Sequence, residues 1–213
     1  MELIIDKYID LKRVLLDAKP KGIIECGAYT GTSVAIFDLL DIANRCLIEA
    51  SPSTFIELTN NVDTIKNTCL NYAVTDTDKE VEFMVTNDPQ CNSYRRMSGL
   101  MRKIFPTVRD KETIKVQGRS LDSLIDSCEI NIKDYDFLLM DVQGCEYDIL
   151  KGFEKNIHNI NYIQAEISYG ELYDGSMLVD EFDEYLKRWG FEKILATQHV
   201  VANWGDAYYK RTL

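Results

Sequence analysis

The sequence predicts an α/β fold: a mostly parallel seven-stranded sheet with a C-terminal antiparallel hairpin and helices on both faces. Three observations predict it. Short apolar runs alternate with segments of helical period along the 213 residues, and that alternation builds a parallel sheet with right-handed crossovers. Several runs end in a carboxylate or a glycine, at the strand ends where open α/β sheets bind ligands. The last two runs, 191–197 and 207–211, are joined by too few residues for a crossover helix, so they must pair antiparallel. The length suits one domain, residues 1–213, with a sizeable core.

Tyr8, Leu11, Leu15 and Ala18 recur at helical spacing, so an amphipathic helix is expected within residues 1–20, ended by Pro20. Gly22–Cys26 reads as a buried strand entering a glycine turn. A helix over 32–40 and a second buried strand over 46–50 follow, and Pro52 starts the next helix. Residues 68–74 read as a third strand. The pattern then loosens. Residues 80–86 alternate like an exposed strand, and 113–117 look like another. Between them, residues 87–111 are polar, rich in arginine and long for a loop; a lid, an acceptor-binding segment or a short helix is expected there. Leu121, Leu124 and Ile125 mark a helix, and 136–141 is a buried strand closing on a carboxylate. Ile149, Leu150, Phe153 and Ile157 share a helix face, and 162–167 is a strand. Leu178, Phe182, Tyr185, Leu186 and Trp189 line a last helix, capped by Gly190.

The formal net charge is −11. Nucleic-acid binders carry basic surfaces that displace counterions, so no nucleic-acid partner is expected. The basic cluster Arg95, Arg96, Arg102, Lys103 and Arg109 reads as a solvated face. The N-terminus lacks the apolar run of a leader, and no stretch is long and apolar enough to span a bilayer. The six cysteines are scattered without a C-x-x-C pair, which predicts reduced thiols in a cytoplasmic protein rather than zinc ligands or disulfides.

Four segments deliver polar residues to the strand ends. In Glu25-Cys26-Gly27-Ala28-Tyr29-Thr30-Gly31 the glycines are spaced G-x-x-x-G, unlike the G-x-G-x-x-G of dinucleotide binders. They allow close approach to a ligand, and a plain strand-to-helix turn would account for them as well. Glu49 ends the second strand, where a carboxylate accepts hydrogen bonds from both hydroxyls of a ribose; a surface glutamate is the alternative. Asn71-Tyr72-Ala73-Val74 would lie where an adenine is stacked. Asp141 ends an apolar strand, where a carboxylate needs a partner or a task. Glu25, Glu49 and Asp141 in one cleft would repel a pyrophosphate and attract a cationic sulfonium. That favours S-adenosylmethionine over NAD.

Taken together these residues resemble the FkbM family of S-adenosylmethionine-dependent methyltransferases, from about Gly22 to Arg211. ECGAYTG is similar to the family's glycine loop. The most specific block is SLDSLI followed by LLMDVQGCEYDILKGFE, with IQAEIS beyond it. LYDGS, YLKRWGF and WGDAYYK add to the likeness. Tyr29 stands where the family often has asparagine, and Cys145 where it often has alanine. The resemblance implies a Rossmann-like methyltransferase fold and transfer of a methyl group to a hydroxyl, of a glycan or of a natural product. It implies cofactor contacts from Glu25, Gly27, Gly31, Glu49, Ala73 and Asp141, and Ala28, Tyr29, Thr32, Ser33, Ala50, Ser51 and Tyr72 beside them complete the expected cofactor set.

Hydroxyl methylation calls for a general base near the transferred methyl. Asp141 is the first candidate, Glu166 the second, and His199, with a suitable intrinsic pKa, the third; a surface turn histidine is the alternative for His199. Tyr94, Arg96, Tyr169, Tyr173 and Asp174 are expected to hold a polyhydroxylated acceptor. Asp141, Glu146 and Glu166 could gather around Mg²⁺, but no ligand spacing demands a metal and none is expected. An NAD-dependent oxidoreductase and a non-catalytic nucleoside-binding module remain as rival readings.

Overall fold

The computed structural model describes residues 2–212, with side chains from residue 8 onward. The chain runs α1 (Glu2–Ala18), β1 (Gly22–Cys26), α2 (Val34–Leu39), β2 (Asn44–Ile48), α3 (Pro52–Asn61), β3 (Thr68–Leu70) and β4 (Ala73–Val74). It continues through β5 (Lys79–Thr86), α4 (Gly99–Ile104), β6 (Asp110–Arg119), α5 (Leu121–Asp126), β7 (Phe137–Met140) and α6 (Glu146–Lys151). It closes with β8 (Tyr162–Ser168), α7 (Val179–Arg188), β9 (Phe191–Ala196) and β10 (Trp204–Arg211). No helix among the described residues is long and apolar enough to cross a membrane.

The main sheet has seven strands in the order β3-β2-β1-β7-β8-β10-β9. Pairing from β3 to β8 is parallel throughout. β10 alone runs against its neighbours, inserted between β8 and β9, as the short 197–203 connection requires. β1 and β7 are buried at every residue, the reading expected of strands covered on both faces. Alternate residues feed two cores. Leu11 of α1, Phe37 of α2 and Leu58 of α3 pack with Ile23, Leu47, Phe137 and Leu139 on one face. Leu124 of α5, Ile149 of α6 and Phe182 of α7 pack with Ile24, Ile48, Leu138 and Met140 on the other. This is a Rossmann-like α/β architecture with helices on both faces.

The structure corrects one strand. Residues 68–74 are not a single strand: the chain leaves the main sheet after Leu70, and β4 pairs with β6 in a separate sheet ordered β4-β6-β5. The break is held by Asn71, whose side-chain amide donates to the carbonyls of Glu49 (2.7 Å) and Ala50 (3.2 Å). The two exposed strands join this second sheet as the antiparallel pair β5–β6. Residues 87–111 contain a short 3₁₀ turn (Pro89–Cys91), helix α4 and the start of β6. Met97 and Met101 anchor the segment against Leu172 and Tyr173.

Candidate active site

Strand register aligns the functional positions in one row. Cys26 of β1 faces Ile48 on one side and Met140 on the other, and Met140 faces Ala165. The next residue on each strand therefore brings Glu49, Gly27, Asp141 and Glu166 side by side beyond the carboxyl edge, at the point where strand order reverses. Glu166 is in turn opposite Asp206 of β10.

The loop after β1 takes left-handed backbone at Gly27 (φ 85°), Tyr29 (φ 51°) and Gly31 (φ 82°). A Cβ at Gly27 would stand 1.9 Å from the Asp141 carbonyl oxygen, so only glycine lets the β1 and β7 loops meet. The Glu49 carboxylate is buried and pinned by two backbone amides, Tyr29 N–H at 3.0 Å and Ser51 N–H at 2.8 Å. Burial pushes its pKa up to about 7, against the lowering effect of those amides. Ser51 is committed to capping α3. Buried Glu25 is held by Ser33, whose hydroxyl lies 2.8 and 2.6 Å from the two carboxylate oxygens.

The turn after β7 is built on two consecutive left-handed residues, Gln143 (φ 56°) and Gly144 (φ 89°). Glu146 closes it from inside: one carboxylate oxygen accepts from Val142 N–H (3.1 Å) and Gly144 N–H (3.4 Å). Complete burial raises the Glu146 pKa to about 7. The Gln143 Nε2 donates to Asp141 Oδ1 at 2.9 Å and lies 3.3 Å from both Glu166 oxygens. Tyr173 donates its hydroxyl to Gln143 Oε1 at 2.8 Å.

These parts line one cavity of about 420 Å³, within the range of roughly 300–1,000 Å³ usual for small-molecule sites. Glu25, Gly27, Ala28, Tyr29, Thr32 and Ser33 line it, as do Glu49, Ala50, Tyr72 and Ala73. Asp141, Glu166, Tyr94 and Tyr173 face it too. Gly31 sits behind the loop, where a Cβ would meet Leu58 and Val62. Arg96 and Asp174 are exposed and joined through their backbones at 2.9 Å. Tyr169 donates to the Thr197 carbonyl at 3.3 Å. His199 packs behind Trp204, ring centroids 4.2 Å apart, and Trp204 presents the wall. Tyr8, Asp88, Gln143 and Trp204 also line the cavity and were not among the site residues expected from the sequence. Among the described lining residues there are five carboxylates (Glu25, Glu49, Asp88, Asp141 and Glu166) and no basic side chain.

A sheet of this order, with a buried carboxylate just after β2, a glycine turn just after β1 and an acidic cleft between them, fits the class of nucleoside-cofactor methyltransferases. The chain belongs to the FkbM methyltransferase domain family, whose model matches residues 25–193. It is a methyltransferase that uses S-adenosyl-L-methionine. It is 26% identical, over 76% of its length and 70% of the relative's, to the 2-O-methyltransferase NoeI of Sinorhizobium fredii (strain NBRC 101917 / NGR234). Its fold is similar to the methyltransferase domain of bacterial CtHen1-C, with TM-score 0.53, 11% identity and 97% of each chain covered. A NADB-Rossmann superfamily protein from Streptococcus agalactiae is matched over 89% of this chain but 61% of its own length, with 11% identity and TM-score 0.48.

Proposed function

We propose that the enzyme methylates a hydroxyl oxygen, most fittingly on a sugar or other polyhydroxylated acceptor. The observation that carries this reading is the pair Asp141 and Glu166, adjacent in the strand-end row and sharing the Gln143 amide. An aliphatic hydroxyl needs a proton acceptor as it attacks, and the pair supplies one beside the cofactor cleft. The cofactor contributes a methyl on a positive sulfonium. When bound, S-adenosylmethionine would supply the methyl group and leave as S-adenosylhomocysteine, while Asp141 or Glu166 would take the proton from the attacking hydroxyl. His199, behind Trp204, is the third candidate for that proton. In this reading Glu49 would accept from the ribose hydroxyls, Gly27 would allow close backbone approach, and Tyr72 and Ala73 would flank the adenine; their common lining of the cavity supports it. The acidic lining favours a cation over a pyrophosphate, which argues against NAD.

The Tyr94 and Tyr173 hydroxyls donate to Asp148 and Gln143 and so would meet the acceptor as hydrogen-bond acceptors, with Arg96, Tyr169 and Asp174 reached only by an acceptor that extends past the rim. The similarity to NoeI, a 2-O-methyltransferase, supports a hydroxyl acceptor. The apolar wall of Met101, Phe105, Val108 and Trp204 favours, as a second reading, a natural-product hydroxyl. Six free thiols support a reducing, cytoplasmic setting. Residues 87–111 supply part of the cavity wall, which supports their role as the acceptor-side segment.

The test begins with calorimetric titration of S-adenosylhomocysteine into wild type and Glu49→Ala. Losing hydrogen bonds to a charged group costs about 1.5–3 kcal/mol, so roughly 10- to 100-fold weaker binding is expected. Methyl transfer is then screened over sugars and polyketide-type alcohols with wild type, Asp141→Asn and Glu166→Gln. Loss of the base lowers kcat by about 10²–10⁴. Stabilisation by NAD, or full activity in both carboxylate variants, overturns the reading.

A further inference from the structure

We infer that Gln143 is a positioning residue that clamps Asp141 and Glu166 in a fixed pair through the two hydrogens of one side-chain amide. Its Nε2 is 2.9 Å from Asp141 Oδ1 and 3.3 Å from each Glu166 oxygen. Two carboxylates accept but do not donate, so only the NH₂ end of the amide can face them. The oxygen end is then turned to Tyr173, whose hydroxyl donates to it at 2.8 Å. The amide orientation is thus fixed from both sides.

The backbone supports the same conclusion. Gln143 holds φ 56°, a conformation that costs a residue with a Cβ roughly 1–2 kcal/mol and costs glycine nothing comparable. The residue after it, Gly144, is also left-handed, and a Cβ there would meet the Tyr173 ring at 2.8 Å. A type of turn that glycine fills most cheaply is here filled by glutamine, and strain of this kind collects at functional sites. The side chain is what the position retains.

The asymmetry of the distances gives the clamp a direction. Asp141 is held on one oxygen at normal length, while Glu166 is approached on both oxygens at the long end of the range. Gln143 therefore holds Asp141 more closely than Glu166. Among the described residues, Glu49 after β2 and Glu146 of α6 act electrostatically on Asp141, and Cys91 of the 87–111 segment and Tyr173 of the loop before α7 act on both members of the pair. An amide that donates to both carboxylates offsets part of their mutual repulsion and favours the ionised forms.

This inference rests on the proposed base role of the pair for its consequence, but its test needs no acceptor. Carboxyl ¹³C shifts of Asp141 and Glu166, assigned from Asp141→Asn and Glu166→Gln spectra, are titrated in the S-adenosylhomocysteine complex. Wild type is compared with Gln143→Met, which keeps the length and loses the donor, and with Gln143→Gly, which suits the left-handed backbone and so protects the fold. The expected result is an upward move of the pair's titration by about one pH unit or more in both variants, as loss of a hydrogen bond to the charged form requires, with cofactor affinity held within about twofold. A titration unmoved in a folded variant overturns the inference. So does a tenfold loss of S-adenosylhomocysteine affinity, which would make Gln143 a cofactor ligand. Inactivity of the pair in methyl transfer would remove the base reading and leave the clamp standing.

Discussion

At Glu49 two effects oppose each other. Burial drives its pKa up to about 7, while the Ser51 and Tyr29 amides pull it down. Ribose hydroxyls donate hydrogen bonds best to the ionised carboxylate, so cofactor binding competes with a proton. Affinity for S-adenosylhomocysteine is expected to be flat above pH 7 and to fall as pH drops through about 7, approaching tenfold per unit. Calorimetry from pH 5.5 to 8.5, in buffers of different ionisation enthalpy, would show proton release on binding at the low end. A pH-independent Kd would remove the ionisation of Glu49 from the binding step. Glu49 and Gly27 were legible in the sequence because a strand-end acid and a turn glycine have a single place to stand in this sheet. Gln143 was not legible. Glutamine in a turn carries no period and no charge, and its position between two carboxylates exists only once β7 and β8 are paired.

Elements were readable where burial is two-sided. The strands β1, β2, β7 and β8 announce themselves as apolar runs, and helix α7 as a clean apolar stripe. The split between β3 and β4 was hidden because strand-like residues continue across it; the break is made by Asn71 bonding to the β2 loop, a tertiary contact. The 87–111 segment was readable only as irregular. Its attachment to the body depends on Asp148 of α6, which accepts from Tyr94 OH at 3.0 Å and Arg95 at 2.7 Å; Arg95 also donates to the Asp174 carbonyl at 3.0 Å. Asp148→Ala leaves that half-buried guanidinium without its carboxylate and is expected to cost about 1–3 kcal/mol. The loss should be local. Hydrogen exchange is predicted to speed up over residues 89–105 and to stay unchanged in β1 and β7. Uniform acceleration throughout the sheet would show that the staple serves global stability instead.

For the molecule as a whole, the two raised acids set a pH dependence. Glu49 and Glu146 titrate near 7 when folded, against an ordinary value of 4.5. Between those values the folded state binds more protons than the unfolded chain, so stability is full below about pH 4.5 and is lost as pH rises through about 7. Each group contributes up to about 3 kcal/mol. The melting temperature of the ligand-free protein should therefore fall from pH 5 to pH 8, and the double variant Glu49→Gln, Glu146→Gln should flatten that fall. A wild-type melting temperature that rises across the interval would mean that neither acid is protonated in the fold. The family was legible at this scale because DVQGCEYDILKG binds strand, turn and helix into one block. The acceptor was not, because the wall proposed for it is assembled from α4, the loop before α7 and β10, which the sequence sets far apart. The position of β10 also gives the molecule a calendar. The partner of β8 is not β9 but the strand synthesised after it. A chain emerging residue by residue can pair β1, β2, β7 and β8 early, and so shape the cofactor half of the cleft. The other half must wait for residues 204–211, which bring Trp204 with them. The strands behind the proposed cofactor half of the cleft thus all precede, in the chain, the strand that completes the proposed acceptor half.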